Sequence, residues 1–98
     1  MSLFHAAFGL AKKYPDATTN LRAIELLKKQ FPDTDDKQLE YALSQGRILF
    51  KSACEIADDF HDKKIDQEKA INKLASDFTE FERQTCESAF YFGLYVTK

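Results

Sequence analysis

Residues 39–60 read LEYALSQGRILFKSACEIADDF, and this stretch decides the predicted fold. Apolar and small residues recur in it at intervals of three and four, and no proline interrupts them. Such a stripe lies on one face of an α-helix, so the pattern predicts a single long helix. Its small members would allow a second helix to approach closely. The stripe consists of Leu39, Ala42, Leu43, Gly46, Leu49, Phe50, Ala53, Ile56, Ala57 and Phe60.

A second long helix is predicted to follow the turn DKKI, with Asp66 as its N-cap. Two helices joined by so short a turn lie antiparallel, which makes them a helical hairpin. At ~1.5 Å per residue each arm would run to about 40 Å or more. The apolar stripe of the second arm consists of Ile71, Leu74, Ala75, Phe78, Phe81, Thr85, Ala89, Phe92 and Val96.

Two short helices are predicted before the hairpin. Ser2 can cap the first, and Asp35 with Gln38 can start the long helix that comes third. Residues 10–16 read LAKKYPD and residues 27–33 read LKKQFPD, and we interpret this recurrence as two helix ends rather than a duplicated functional motif. Lysines favour the last turn of a helix, and Pro15 and Pro32 would prevent each helix from continuing.

The predicted fold class is therefore all-α. The four-helix arrangement packs two short N-terminal helices on a long antiparallel helical hairpin. A chain of 98 residues has the length of one domain, so we predict that residues 1–98 form a single all-helical domain. Nine Phe residues against three Gly and two Pro favour packed helices over loops or disorder.

The net charge, the N-terminal stretch and the two cysteines limit the classes of partner and the cellular location that the sequence predicts. The formal net charge of −2 provides no uniform basic field, so no nucleic-acid partner is predicted. The N-terminal stretch MSLFHAAFGL lacks the basic start of a signal peptide and is too short for a membrane span, so neither membrane association nor export is predicted. Cys54 and Cys86 are interpreted as reduced core thiols inside long helices. The predicted location is the cytoplasm.

The segment 89–96, AFYFGLYV, is the least ordinary part of the chain. On a helix it would be apolar or aromatic all round, so one buried face cannot accommodate it. Three interpretations remain open: the short helices cover it, it forms an interface, or it is a β-strand. The interface hypothesis assigns Phe92 and Val96 to the hairpin core. The predicted interface residues are Phe90, Tyr91, Leu94 and Tyr95.

Catalytic or metal chemistry finds little support in the sequence. Glu55, Asp58 and His61 are spaced one helical turn apart, which is a poor match to the paired Glu-x-x-His ligands of helical di-metal proteins. No nucleophile elbow or glycine-rich phosphate loop occurs. We therefore predict no catalytic residues, no metal ligands and no cofactor.

The sequence thus predicts a small non-enzymatic helical protein that acts through protein–protein association, as a regulator, adaptor or inhibitor. A homodimer formed by the aromatic C-terminal segment is the expected assembly, and a further protein partner of unknown identity is also expected. The alternative is a helical bundle that binds a small ligand or a metal ion in its interior.

Overall fold

The computed structural model describes residues 2–14 and 20–97 of the chain. Within these ranges it contains five α-helices and no β-strand, which confirms the prediction of an all-α fold. Two compact units, Met1–Ile48 and Leu49–Lys98, share the longest helix, and the single-domain assignment of residues 1–98 stays a prediction. The helices are α1 (Leu3–Lys13), α2 (Asn20–Gln30), α3 (Asp36–His61), α4 (Gln67–Asp77) and α5 (Arg83–Val96).

The helix ends confirm most of the predicted capping. Tyr14 leaves the helical conformation after α1, with φ −125° and ψ 71°, as the sequence predicts. The role given to Pro15 lies outside the described residues. Side-chain oxygens at three N-caps accept bonds from first-turn N–H groups, which lack partners within the helix. These bonds run from His5 N to Ser2 Oγ (3.1 Å), from Gln38 N to Asp35 Oδ1 (2.8 Å) and from Lys69 N to Asp66 Oδ1 (2.8 Å).

The predicted fourth helix is in fact two helices, so the four-helix count and the long second arm of the hairpin are wrong. Between α4 and α5, the N–H of Phe81 donates to the carbonyl of Phe78 at 3.0 Å and closes a tight turn. Phe81 is buried, and its ring packs edge-on against Phe78. The turn brings α5 against α4. Packing between these two helices compensates for the few helical hydrogen bonds lost at the turn. No glycine or proline marks this break in the sequence.

The first unit is built from α1, α2 and the first half of α3. The guanidinium of Arg47 donates two bonds to the carbonyl of Tyr14, at 3.1 Å and 3.4 Å, and so satisfies an acceptor at the end of α1. The ring of Phe4 meets that of Tyr41 edge-on at 6.2 Å. Small and branched side chains from all three helices form the core, namely Ala6, Ala7, Ala11, Ala23, Leu27, Leu39, Ala42 and Leu43.

The second unit is built from the second half of α3 together with α4 and α5. Phe90 on α5 is fully buried and meets Phe60 of α3 edge-on at 5.6 Å. Phe50 and Phe92 form a second aromatic pair at 5.4 Å. The remaining buried residues of this unit include Leu49, Ala53, Ile56, Ala57, Ala70, Ile71, Leu74, Phe81, Thr85, Cys86, Ala89 and Gly93.

The inward face of α5 differs from the predicted one at its C-terminal end. Phe92 and Val96 were predicted to lie in the core, whereas Phe92 is half-buried and Val96 is exposed. Gly93 explains the difference, because a methyl group there would lie 2.7 Å from the carbonyl oxygen of Ala53. The α5 backbone therefore contacts α3 at Gly93, and Phe90, one turn earlier, faces the same side.

The two units repeat one another in sequence. Residues 3–14 read LFHAAFGLAKKY and residues 49–60 read LFKSACEIADDF, so both segments share the pattern L-F-x-x-A-x-x-x-A. Residues 23–46 and 70–93 form a second pair of related segments. Accordingly, α1 corresponds to the second half of α3, α2 to α4, and the first half of α3 to α5. The identical pairs of the second segment are Ala23/Ala70, Ile24/Ile71, Leu27/Leu74, Phe31/Phe78, Glu40/Glu87, Ala42/Ala89 and Gly46/Gly93.

The repeat extends to a specific helix–helix contact within each unit. A methyl group at Gly46 would lie 3.2 Å from the carbonyl oxygen of Ala7, as one at Gly93 would lie 2.7 Å from that of Ala53. Ala7 and Ala53 occupy equivalent positions, so the same glycine-to-alanine backbone contact closes both units. The recurrence of residues 10–16 at 27–33 is not part of this repeat, because residues 10–13 lie in α1 and residues 27–30 lie in α2, two helices of the same unit.

Candidate interaction surface on helix α5

Helix α5 has one buried side and one exposed aromatic side. Tyr91 keeps 48%, Tyr95 70% and Val96 45% of their surface exposed. Positions 91 and 95 are one turn apart, so the two tyrosines lie on one side of the helix. We call the exposed side chains Tyr91, Tyr95 and Val96 the α5 surface. It places three large apolar side chains within two turns of one helix.

Local contacts orient the two tyrosines. The amide of Gln67 on α4 donates to the hydroxyl of Tyr91 at 2.7 Å. The ring of Tyr95 stacks on that of Phe92, with centroids 6.4 Å apart and planes inclined by 29°. Both rings are therefore held by contacts within their own unit.

The structure divides the four predicted interface residues into three groups. Tyr91 and Tyr95 are exposed, Leu94 is half-buried, and Phe90 is buried in the core. Phe90 is thus removed from the accessible surface, because it faces α3 with Gly93. The self-association predicted for this segment stays a prediction. The strand interpretation of residues 89–96 is wrong, since these residues belong to α5.

Four exposed large apolar residues were not predicted to be exposed, and one of them is Leu21 on α2, which is 81% exposed. Val96 was assigned to the core, and Tyr41 and Ile48 on α3 were not considered for an interface. Tyr41 is 48% and Ile48 46% exposed. Ile48 and Tyr95 each follow the conserved glycine of their unit by two residues, just beyond the paired segments 23–46 and 70–93.

The acidic segment of α3 is exposed. Glu55, Asp58 and His61 all face solvent, and His61 Nε2 lies 3.1 Å from the hydroxyl of Thr97. In the described part of the chain, no group of three His, Cys, Asp or Glu side chains is arranged to hold a metal ion. The metal alternative therefore has no described cluster of ligands to support it.

Two open grooves flank the helices. A groove of about 630 Å³ in the second unit carries three lysines, and one of about 560 Å³ in the first unit carries two. Both open broadly to solvent, whereas a small-molecule site encloses most of its ligand. The first is lined by Phe60, His61, Lys63, Lys64, Ile65, Asp66 and Lys69, and the second by Ile24, Glu25, Lys28, Lys29 and Asp36.

The two cysteines are free thiols, as predicted, and they differ in accessibility. Cys86 is fully buried in the core as predicted, whereas Cys54, which was also predicted to lie in the core, is only half-buried. Burial raises the pKa of both thiols above its ordinary value. The carboxylates of Asp58 and Glu55 add to this effect at Cys54, whereas Arg83 partly opposes it at Cys86. Since the thiolate is the reactive species, both thiols should react slowly at neutral pH.

We expect an aromatic disulfide reagent to distinguish the two cysteines in the native protein at pH 8. Cys54 should react first, and Cys86 at least ~10-fold more slowly, because Cys86 must wait for local opening of its unit. Release of the coloured thiol is followed by absorbance. Cys54→Ser should remove the fast phase, and Cys86→Ser should leave it. Equal native rates at both thiols would contradict the burial of Cys86.

The two units carry different charge. The first contains seven basic and six acidic residues, and the second contains seven basic and ten acidic residues. The first unit therefore has a net positive formal charge. The second unit, which carries the α5 surface, has a net negative one. None of the helices in the described ranges combines the length and hydropathy of a membrane-spanning segment.

Comparisons of the chain with models of known protein families, with curated proteins and with solved structures give no match. The class defined by the structure is an all-helical protein containing two related three-helix units.

Proposed function

We propose that this protein is a non-enzymatic helical protein that acts through protein–protein association, and that it forms a homodimer through the α5 surface. The observation that carries the proposal is the grouping of Tyr91, Tyr95 and Val96 on the solvent side of one helix. Single exposed apolar residues are ordinary, whereas a contiguous group of them marks an interaction site.

The energetics of burial favour association at this position. Fully burying an exposed large apolar side chain gains roughly 1.5–3 kcal/mol, and the side chains of the α5 surface, which are 45–70% exposed, would gain a part of this. Tyrosine is enriched among the residues that dominate interface energies. The Tyr91 ring is already held by Gln67 and the Tyr95 ring by Phe92. A partner therefore gains the apolar contact without first having to order flexible side chains.

A homodimer is the simplest assembly that uses this surface, because two-fold symmetry lets the same patch contribute twice. The alternative, an interior site for a small ligand or metal, receives less support: the grooves described above are open, and Thr85 is the buried polar residue among the described side chains. The cytoplasm is proposed as the location, because two free thiols suit a reducing compartment.

The experiment is light scattering of the purified chain at micromolar concentration. We expect the mass of a dimer for the unmodified protein and a shift to the monomer mass for Tyr95→Glu, because a charge in a desolvated contact costs several kcal/mol. Circular dichroism should show unchanged helicity, since the side chain of Tyr95 is largely exposed.

A matched control adds the same charge elsewhere. Asn72 is exposed in the middle of α4, and Asn72→Glu should leave the dimer intact. A monomer at all concentrations for the unmodified protein would overturn the proposal. So would a dimer that Tyr91→Glu and Tyr95→Glu both leave unchanged.

A further inference from the structure

The groove of about 630 Å³ in the second unit combines apolar and basic side chains. It lies at the junction of α3 and α4, and the residues that line it all belong to the second unit. Phe60 and Ile65 line it with half-buried side chains, and Lys63, Lys64 and Lys69 line it with exposed ones. We call these five side chains the basic groove. A ligand there would meet an apolar surface and positive charge together.

The lysines of the basic groove are not neutralised by ion pairs. Elsewhere in the second unit, carboxylates pair with Lys73 and with Arg83. In the described parts of the chain, no such pair forms at any lysine of the groove. Asp66 also lines the groove, but its carboxylate is the N-cap of α4 and accepts the N–H of Lys69 at 2.8 Å. Positive charge is therefore in excess at the groove, in a unit that carries more acidic than basic residues.

We propose that the basic groove binds a short acidic segment of a partner protein. One apolar side chain of that segment packs on Phe60 and Ile65, and its carboxylates face the three lysines. Burial of the apolar side chain supplies affinity, and the charges supply orientation and a faster encounter. The inference goes beyond the proposed homodimer and does not depend on it, because the basic groove and the α5 surface share no residue.

The charge of the surrounding surface favours a short segment over an extended polyanion. At the end of α3 and in the turn after it, Asp58, Asp59 and Asp62 are exposed, and they do not line the groove. A nucleic acid or an anionic membrane would extend past the lysines and meet these carboxylates, and like charges repel. A short peptide stays within the groove, where the three lysines outnumber Asp66.

The size and openness of the groove suit a weak and reversible contact. Its volume lies within the range of about 300–1,000 Å³ that small-ligand sites occupy, so it can hold a few peptide residues but not a large protein surface. It opens broadly to solvent, so the outer side of a bound peptide stays hydrated. Small interfaces belong to transient complexes, and we therefore expect a Kd of ~10 μM to 1 mM.

The test is an NMR titration of the ¹⁵N-labelled protein with a synthetic peptide. The peptide has a central leucine flanked on each side by glutamates, and both of its ends are blocked to remove the terminal charges. We expect amide shifts concentrated at residues 60–69, with a Kd in this range. Added salt should weaken binding, because it screens the charges. Replacing the leucine of the peptide with serine should raise the Kd at least ~5-fold, because the apolar contact is lost.

Charge reversal locates the contact on the protein. Lys64→Glu and Lys69→Glu should each raise the peptide Kd at least ~10-fold, because each replaces an attraction with a repulsion. Lys51→Glu is the matched control. Lys51 is exposed on α3 in the same unit but does not line the groove, so the same change in net charge there should alter the Kd less than ~2-fold. All three side chains are exposed, so the amide spectra of the variants should show a retained fold.

The variants and two alternative ligands decide between the possible outcomes. Shifts at residues 60–69 that Lys64→Glu and Lys69→Glu weaken and Lys51→Glu leaves unchanged would support the inference. An absence of shifts at millimolar peptide would overturn it, as would equal weakening by Lys51→Glu and Lys64→Glu, which indicates attraction by net charge alone. Tighter binding of a DNA duplex or of phosphatidylserine vesicles at the same residues would also overturn it. Tyr95→Glu should keep the peptide Kd, so this inference stands or fails separately from the homodimer.

Discussion

Replacing Phe90 with Ala is expected to destabilise the protein by about 3–5 kcal/mol, the largest effect predicted for any single substitution here. The side chain of Phe90 is fully buried, and its ring packs edge-on against Phe60 at 5.6 Å. Truncation removes this burial and leaves a cavity that neighbouring helices fill only in part. Such a loss is a large fraction of the stability of an ordinary small domain.

Urea unfolding followed by circular dichroism measures this effect, and Tyr95→Ala is the matched control. Tyr95 is an aromatic residue of the same helix but 70% exposed, so its truncation should change the free energy of unfolding of the monomer by no more than about 0.5 kcal/mol. The comparison is made at concentrations below the dimer Kd. Similar effects for the two variants would contradict the assignment of Phe90 to the core.

Replacing Gly93 with Ala is expected to destabilise the protein by about 1–3 kcal/mol, although alanine is the better helix former. The added methyl carbon would lie 2.7 Å from the carbonyl oxygen and 3.0 Å from the carbonyl carbon of Ala53. These are backbone atoms, so relief requires α5 and α3 to move apart. That movement loosens the packing of Phe90 and its neighbours.

The two other glycines are controls within the same chain. Gly9 is exposed in α1 with no atom within 4 Å of an added methyl group, so Gly9→Ala should stabilise by about 0.5–1 kcal/mol. At Gly46 the nearest atom would lie 3.2 Å from the added methyl group, so the change in unfolding free energy for Gly46→Ala should fall between those for Gly9→Ala and Gly93→Ala. Differences are read from urea midpoints at constant slope. A stabilising Gly93→Ala would show that the close contact in the second unit is wrong.

The main error of the sequence-based prediction was the missed break between α4 and α5, which the internal repeat places at the same position as the break between α2 and α3. The segment FPDTD at residues 31–35 separates α2 from α3, and the segment FTEFE at residues 78–82 separates α4 from α5 at the equivalent position. Pro32 makes the first break visible, because proline cannot continue a helix. The second break has no such residue, so local propensity alone predicts a continuous helix.

The candidate interface was predicted in part. Residue type identified the aromatic segment 89–96, and helical periodicity placed Tyr91 and Tyr95 on one side of α5. Periodicity did not decide which side is buried, because Phe90 and Phe92 are equally apolar. The contact of Gly93 with Ala53 decides it, and that contact depends on two helices far apart in the sequence.

The sequence by itself determined the all-α class, the start of α1, α3 and α4, the length of α3 and the free state of both thiols. These features depend on local spacing, on capping side chains and on composition, which act within a few residues. Tertiary structure alone decided the break at residues 78–82 and the burial of Phe90. Each depends on packing between distant segments, where the free energy of burial exceeds the few tenths of a kcal/mol by which most residues differ in helix propensity.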